Sequence, residues 1–145
     1  MNLENFQGLE YVTVLDIPTK KIGSHEVLAI DHSDIEKAVA KEILKLGIRF
    51  RGKEVRFLRK VLGLSLEKFA AKIHLTSGAI QRWEKKENES ISPVNEIVLR
   101  AFFSDQFQVP MPLHFSEFVG IEEYKNIELK MDTACLLYTS PSPRD

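Results

Sequence analysis

The chain has 145 residues, of which 43% are hydrophobic and 28% are charged, and its formal net charge at pH 7 is −1. This length suits one compact domain, or a small module joined to a second one, and the apolar content can supply a core. No apolar run reaches the roughly 18–20 residues that span a membrane, and the N-terminus lacks a signal-peptide pattern, so we expect a cytoplasmic protein with no membrane partner.

The first predicted elements are two strands and a helix. An alternating run over residues 11–15 and an apolar run over residues 27–30 predict two strands, joined by a loop that contains Pro and Gly. Ser33 and Glu36 then form the S-x-x-E pattern of a capping box, which predicts a helix that runs to about Leu46. The predicted inner face of this helix consists of Ile35, Val39, Ile43 and Leu46.

Three short helices are predicted next. The first covers about residues 52–62, and Gly63 is its predicted C-cap. Residues 65–73 and 76–86 form the other two, with a tight turn between them. Each of these two begins at a hydroxyl side chain that can accept a hydrogen bond from the first turn, and is flanked by a hydrophobic staple that sets the entry angle of the chain. The caps are Ser65 and Thr76, and the staples are Leu64 with Phe69 and Leu75 with Ile80.

The helix predicted over residues 76–86 has one apolar and one polar side. At 100° per residue, Ala79, Ile80 and Trp83 fall together and should pack onto the preceding helices. The polar side suits a helix in the DNA major groove, where side chains meet base-edge donors and acceptors. An ordinary solvated helix face is the alternative. The residues on this polar side are Ser77, Gly78, Gln81, Arg82 and Lys85.

Positive charge is concentrated in the same region. Residues 49–86 contain eleven Lys or Arg and only three acidic residues, a net charge of +8, which leaves −9 for the rest of the chain. Phosphate neutralisation with release of counterions is a main source of affinity for DNA, and it requires a local basic patch of this kind. The charge therefore favours the DNA-binding interpretation over the solvated face.

The stretch "GKEVRFLRKVLGLSLEKFAAKIHLTSGAIQRWEKKENESISP" resembles the helix-turn-helix of XRE (phage-repressor-like) regulators. The resemblance covers roughly residues 52–107 and rests on "LRK..LGLS", "FA..I", "TSGAI.RWE" and the capped "SP" that opens the next helix. It implies base contacts by Ser77, Gly78 and Arg82, to which Gln81 is a plausible addition. The phosphate contacts that we expect are Thr76, Lys53, Arg56, Lys68, Lys85 and Lys86.

Two positions depart from the pattern of this family. Leu66 stands where the family often has a Gln that binds phosphate, and a Leu side chain cannot do so, which weakens the expected affinity. His74 stands where the turn usually has Gly, so we expect His74 to adopt a left-handed backbone conformation. Neither departure changes the expected fold.

The N-terminal hairpin and helix, placed directly before "RGKEVRFLRK", resemble the DNA-binding part of MqsA-type antitoxins and their stand-alone relatives. In that family a zinc module with paired CxxC motifs often comes first. This sequence has no such motif, so we expect neither a metal nor a cofactor.

The last eleven residues, "CLLYTSPSPRD" at 135–145, match at every position the translation of a common transposase sequencing adaptor. We interpret them as a non-native tail and expect them to form no packed structure. An ordinary disordered end rich in Ser and Pro is the alternative. The only cysteine belongs to this tail, so we expect neither a disulfide framework nor a thiolate zinc site.

No arrangement of residues predicts an enzyme. None of the four histidines lies at an i,i+4 spacing from another or near the cysteine, and there is no phosphate-binding glycine loop. The phenylalanines at the C-terminal end of the native part are predicted to form the core under the last helix, with a dimer interface as the alternative. These are Phe102, Phe103, Phe107, Phe115 and Phe118.

Together these features predict a mainly α (α+β) protein. Residues 1–50 form the hairpin and helix, and residues 51–108 form a five-helix-like XRE helix-turn-helix domain. Residues 109–134 form a truncated C-terminal extension before the tail. We expect a homodimer that binds a palindromic double-stranded DNA operator and regulates transcription, in particular as an autorepressor of a toxin–antitoxin operon. The alternative is an antitoxin that acts mainly by binding a protein toxin, with the N-terminal hairpin as its binding surface.

Overall fold

The computed structural model describes residues 2–111, 127–130 and 138–139. Within these residues the protein is a mixed α+β structure with five α-helices, which agrees with the predicted mainly α, α+β class. None of the helices in the described residues has the length and apolar content required to cross a membrane. The chain divides into two compact units, one of residues 1–42 and 125–145 and the other of residues 43–124.

The first unit contains two small sheets. Their strands are β1 (Leu3–Glu4), β2 (Val12–Leu15), β3 (Thr19–Ile22), β4 (His25–Leu28), β5 (Ile127–Lys130) and β6 (Tyr138–Thr139). One has the order β1-β2-β5-β6, in which β1 pairs with β2 and β5 with β6 antiparallel, whereas β2 and β5 are parallel. Val12 and Val14 on β2 are fully buried, as expected for alternate side chains on one face of a strand.

The predicted hairpin between residues 11–15 and 27–30 is wrong. β4 pairs with β3, in a register that joins Thr19 to Leu28 and Ile22 to His25. The reason lies in the turn, because Gly23 has φ +63° and the two-residue loop of Gly23 and Ser24 closes this hairpin directly. β2 is left to pair with β1 and β5 instead.

Helix α1 (His32–Lys45) begins one residue before the predicted capping box. Its first turn is capped by Asp31, whose Oδ1 accepts a hydrogen bond from the Ser33 amide at 3.1 Å. Glu36 accepts a hydrogen bond from the Gln7 side chain at 3.3 Å, outside any capping box. The box predicted for Ser33 and Glu36 is therefore wrong, because a carboxylate two residues earlier supplies the cap. The predicted inner face is buried at Ile35, Val39 and Ile43 and half-buried at Leu46.

The second unit is helical and has an aromatic core. Its helices are α2 (Gly52–Val61), α3 (Leu66–Lys72), α4 (Ser77–Lys85) and α5 (Pro93–Phe107). The Phe103 ring stacks on Phe69 at a centroid distance of 5.4 Å and meets Phe50 edge-on at 5.9 Å. Phe103 and Phe107 are buried, which supports the core interpretation of these two side chains over the dimer interface. Phe115 and Phe118 lie outside the described residues.

Two residues of the C-terminal tail form a strand, which was not expected. Tyr138 and Thr139 form the two-residue strand β6, which pairs with Lys130 and Leu129 of β5. The tail was expected to form no packed structure, and the backbone of these two residues departs from that expectation because it is paired in a sheet. Residues 135–137 and 140–145 lie outside the described part of the chain.

Candidate nucleic-acid interface

Helices α3 and α4 are capped by hydroxyl side chains, as predicted. The Ser65 Oγ accepts a hydrogen bond from the Lys68 amide, and the Thr76 Oγ1 accepts one from the Ala79 amide, each at 3.2 Å. Each hydroxyl satisfies one of the amides that a helix N-terminus leaves without a partner. The two helices therefore begin where local chemistry places them, within one residue of the predicted bounds.

The turn between α3 and α4 is held by a left-handed residue. His74 has φ +58°, which confirms the conformation expected where the family usually has Gly. The Leu75 amide donates to the Ala70 carbonyl at 2.9 Å, and the His74 amide donates to the Ala71 carbonyl at 3.4 Å. This is the Schellman pattern of a helix C-terminus. The turn therefore ends α3 sharply and directs the chain into α4.

Helix α2 ends in the same way at the predicted glycine. Gly63 has φ +72°, and its amide donates to the Lys60 carbonyl at 3.0 Å. The next amide, that of Leu64, donates to the Arg59 carbonyl at 3.2 Å. The C-cap residue of α2 is Leu62, and the predicted Gly63 is the left-handed residue directly after it that ends the helix. The two turns at residues 63 and 74 set the directions of α2, α3 and α4.

Helix α4 has one buried and one exposed side. Ile80 is fully buried, and Gln81 and Arg82 are exposed, as predicted. Trp83 was predicted to be buried and is only half-buried. Its backbone is covered instead: a Cβ placed on Gly52 would lie 2.0 Å from the Trp83 carbonyl oxygen. The start of α2 thus packs against the main chain of α4, which a helical projection of side chains cannot reveal.

Glu84 is a buried residue of α4 that the sequence prediction missed. Its two carboxylate oxygens accept hydrogen bonds of 2.7 and 2.8 Å from the Arg59 guanidinium, which also donates to the Leu64 carbonyl at 2.9 Å. The helical period could have predicted this burial, because Glu84 follows Ile80 by four residues and so lies on the same helix face. This contact joins α2 to α4 beneath the exposed side of α4.

The loop after α4 closes the N-terminus of α2. The Gly52 amide donates to the Glu89 carbonyl at 3.3 Å, and the Lys53 amide donates to the Glu87 carbonyl at 3.1 Å. The Arg51 amide donates to the Glu54 side chain at 2.7 Å. Because these acceptors belong to the chain itself, the first amides of α2 are already satisfied and do not face a ligand.

A buried charged cluster links this region to α5. Glu96 is fully buried and accepts hydrogen bonds of 2.8 Å from the Arg49 side chain and from the Phe50 amide. Arg100 donates to Glu96 at 3.2 Å and to the Ile48 carbonyl, and its guanidinium lies 4.4 Å from the centre of the Phe50 ring. Burial lowers the pKa of the Arg100 guanidinium, and the charge of Glu96 opposes that shift. The cluster fixes the segment that leads into α2.

Ion pairs reduce the basic patch that the sequence predicts. Four arginines of residues 49–86 form ion pairs with glutamates. The four glutamates are Glu54, Glu84, Glu87 and Glu96. The pair of Lys86 with Glu89 is longer, at 3.7 Å, and well exposed. Glu54 and Glu84 are already subtracted in the net charge of +8, but Glu87 and Glu96 lie outside residues 49–86. Their pairs with Arg56 and Arg49 therefore lower the positive charge that is open to an anion. The paired arginines are Arg49, Arg51, Arg56 and Arg59.

An open surface cleft between α2, α3 and α4 brings together three of the predicted contacts, namely Arg56, Gln81 and Lys85. Leu66 lines the same cleft, at the position where the family often has a phosphate-binding Gln. The other predicted residues do not line this cleft. Ser77 and Gly78 are half-buried in the first turn of α4, and the cap Thr76, Arg82 and Lys86 are exposed. Lys53 in α2 is half-buried, and Lys68 in α3 is exposed.

Among the described residues, no three His, Cys, Asp or Glu side chains are arranged so that they could hold a metal ion. Comparisons with protein-family models, with curated proteins and with solved structures found no match to this chain. The functional assignment therefore depends on the geometry of α2, α3 and α4.

Proposed function

We propose that this protein is a sequence-specific DNA-binding transcriptional regulator of the XRE helix-turn-helix type, without catalytic activity. Helices α3 and α4 are the motif, and α4 lies in the major groove. The observation that carries the proposal is the division of α4, in which Ile80 and Glu84 are buried whereas Gln81, Arg82 and Lys85 are exposed on the other side. An anchored helix with an exposed row of donors is what direct readout requires.

The exposed side chains fit defined partners on DNA. Arg82 can make a bidentate contact with a guanine edge, and Gln81 can do so with adenine. Ser77 and Gly78 occupy the first turn of α4, where a small residue permits close approach to the bases. Lys85 is exposed one turn beyond Gln81 and suits a phosphate, as a compact point charge does.

We further propose that two copies act together. One module with a single recognition helix reads few base pairs, and a two-fold dimer on a palindromic site doubles the contacts. Autorepression of a toxin–antitoxin operon is the regulatory role that the resemblance to MqsA-type antitoxins supports.

A second candidate function is an antitoxin that binds a protein toxin. The hairpin of β3 and β4 favours it, because residues 20–26 are exposed and the Ile22 side chain is 60% exposed near the turn. Exposed apolar residues on an extended hairpin suit contact with another protein.

The test of the proposed function is a fluorescence titration of the protein into a random-sequence duplex at several salt concentrations. It is followed by selection of bound sequences from a random duplex library. We expect affinity that falls steeply with salt and enrichment of a palindromic motif. Absence of salt-dependent binding would reject the regulator and leave toxin binding as the better account.

A further inference from the structure

Arg56, one of the predicted phosphate contacts, already holds an anion from its own chain. Its Nη2 lies 2.8 Å from the Oε1 of Glu87, and the two side chains are 36% and 48% exposed. Arg56 lowers the pKa of the Glu87 carboxyl by hydrogen bonding and by its charge, and the charge of Lys53 lowers it further. Glu87 is thus the acidic residue that two predicted phosphate contacts share.

The Glu87 backbone is fixed in this place. Its carbonyl oxygen accepts the Lys53 amide at 3.1 Å, and the Glu89 carbonyl accepts the Gly52 amide at 3.3 Å. The loop also turns tightly, because the Glu89 amide donates to the Lys86 carbonyl at 3.1 Å. The main chain therefore presents the Glu87 carboxylate to the first turns of α2, unlike a charge on a free surface loop.

The pair lies on the surface proposed to face DNA. Arg56 and Glu87 line the same open cleft as Gln81 and Lys85, which project from the exposed side of α4. A phosphate that approached Lys85 would therefore meet the negative charge of Glu87 in the same cleft. Carboxylate and phosphate present similar oxygen acceptors to a guanidinium, so they compete for it.

We propose that the Glu87 carboxylate occupies the position at Arg56 that a DNA phosphate would take, and so limits the affinity of this surface for all duplex DNA. The inference rests on the proposed DNA-binding function. When DNA binds, Arg56 exchanges its internal partner for a phosphate. Because that contact is to the backbone, Glu87 acts on operator and random duplex alike.

The test compares four proteins in the same random-duplex titration: the wild type, Glu87→Gln, Arg56→Ala and the double variant Arg56→Ala/Glu87→Gln. We expect Glu87→Gln to bind about 3- to 10-fold more tightly, because Arg56 then contacts a phosphate without first giving up an internal partner. Arg56 neutralises one phosphate in both proteins, so the log–log salt slope should change little. In the Arg56→Ala background, the Glu87→Gln change should raise the affinity less than about 2-fold, because the guanidinium for which the carboxylate competes is absent.

Glu67→Gln is the matched control. Glu67 is an exposed acid in the first turn of α3 and has no ion-pair partner among the described residues, so its loss changes the net charge equally without freeing an arginine. Glu87→Ala repeats the test with a different side chain, and thermal unfolding of each variant verifies that it is folded.

Four outcomes overturn the inference. An equal gain for Glu67→Gln and Glu87→Gln would mean that only net charge matters. A gain in affinity that persists in the Arg56→Ala background would show that Glu87 does not compete with a phosphate for Arg56. Wild-type binding with no gain for Glu87→Gln or Glu87→Ala would reject the role of Glu87 and leave the proposed function intact. Absence of salt-dependent binding by the wild type would reject both.

Discussion

Arg59 on α2 holds the carboxylate of Glu84 on α4 through two hydrogen bonds, of 2.7 and 2.8 Å, and the two side chains are only 11% and 9% exposed. The same guanidinium donates to the Leu64 carbonyl at the turn between α2 and α3. One side chain therefore connects α2, this turn and α4. Side chains of a binding site must be held within a fraction of an ångström, and this pair fixes the helix that carries the proposed base contacts.

Loss of either member of this pair should destabilise the protein strongly. We expect Arg59→Ala or Glu84→Gln to lower the free energy of unfolding by about 3 kcal/mol, because the remaining partner stays largely buried without its counter-charge. Arg56→Ala is the matched control, since it breaks an exposed Arg–Glu pair and should lower stability far less. Urea unfolding followed by circular dichroism measures all three, and equal losses would contradict the positioning role of Arg59.

Gly52 should tolerate no side chain. A Cβ at this position would lie 2.0 Å from the Trp83 carbonyl oxygen and 2.7 Å from that of Lys86, both backbone atoms that cannot move away alone. We expect Gly52→Ala to lower the free energy of unfolding by about 2 kcal/mol or more. In Gly78→Ala the nearest atom, on the flexible Arg82 side chain, is 3.6 Å away, so this control should unfold at or above the wild-type urea midpoint.

Substitutions of Arg82 and Lys85 should differ in their effect, because Arg82 is proposed to contribute to sequence specificity and Lys85 to general affinity for DNA. We expect Arg82→Ala to reduce the preference for the selected operator over random duplex by about 1–3 kcal/mol, because a bidentate base contact is lost. Lys85→Ala should weaken binding to both duplexes alike and reduce the salt slope by about one. Lys72→Ala, an exposed lysine at the end of α3 outside the predicted contacts, is the control. An unchanged specificity ratio in Arg82→Ala would show that this residue does not contact a base.

The ion pair of Arg56 and Glu87 should respond to acid. Arg56 lowers the pKa of the Glu87 carboxyl below its ordinary value of 4.5. A depressed carboxyl pKa means that the pair contributes at neutral pH, and that its contribution is lost as the pH falls through the folded-state pKa. We expect the Glu87 carboxyl to titrate at a higher pH in Arg56→Ala than in the wild type. Carboxyl-carbon NMR measures both values, and identical titrations would mean that the two side chains do not interact in solution.

Local chemistry was sufficient for the ends of the helices in the second unit. The caps at Ser65 and Thr76, and the left-handed residues at positions 63 and 74, depend on groups within a few residues of each other. The sequence therefore predicts them well. The period of the helix likewise separated buried Ile80 from exposed Gln81 and Arg82, because the side-chain direction follows from helix geometry alone.

Pairings between residues that are distant in the chain could not be predicted from the sequence. The parallel pairing of Val12 with Ile127 joins distant segments, and no local pattern selects it over a nearby hairpin. The ion pairs of the basic region are also tertiary, because only the fold brings Arg59 to Glu84 and Arg56 to Glu87. The net charge of residues 49–86 counts Arg49 and Arg56 without Glu96 and Glu87, the partners that the fold brings to them from outside this segment. The sequence thus determined where the helices of the second unit begin and end, and the tertiary structure decided which of their charges have an internal partner and which remain exposed.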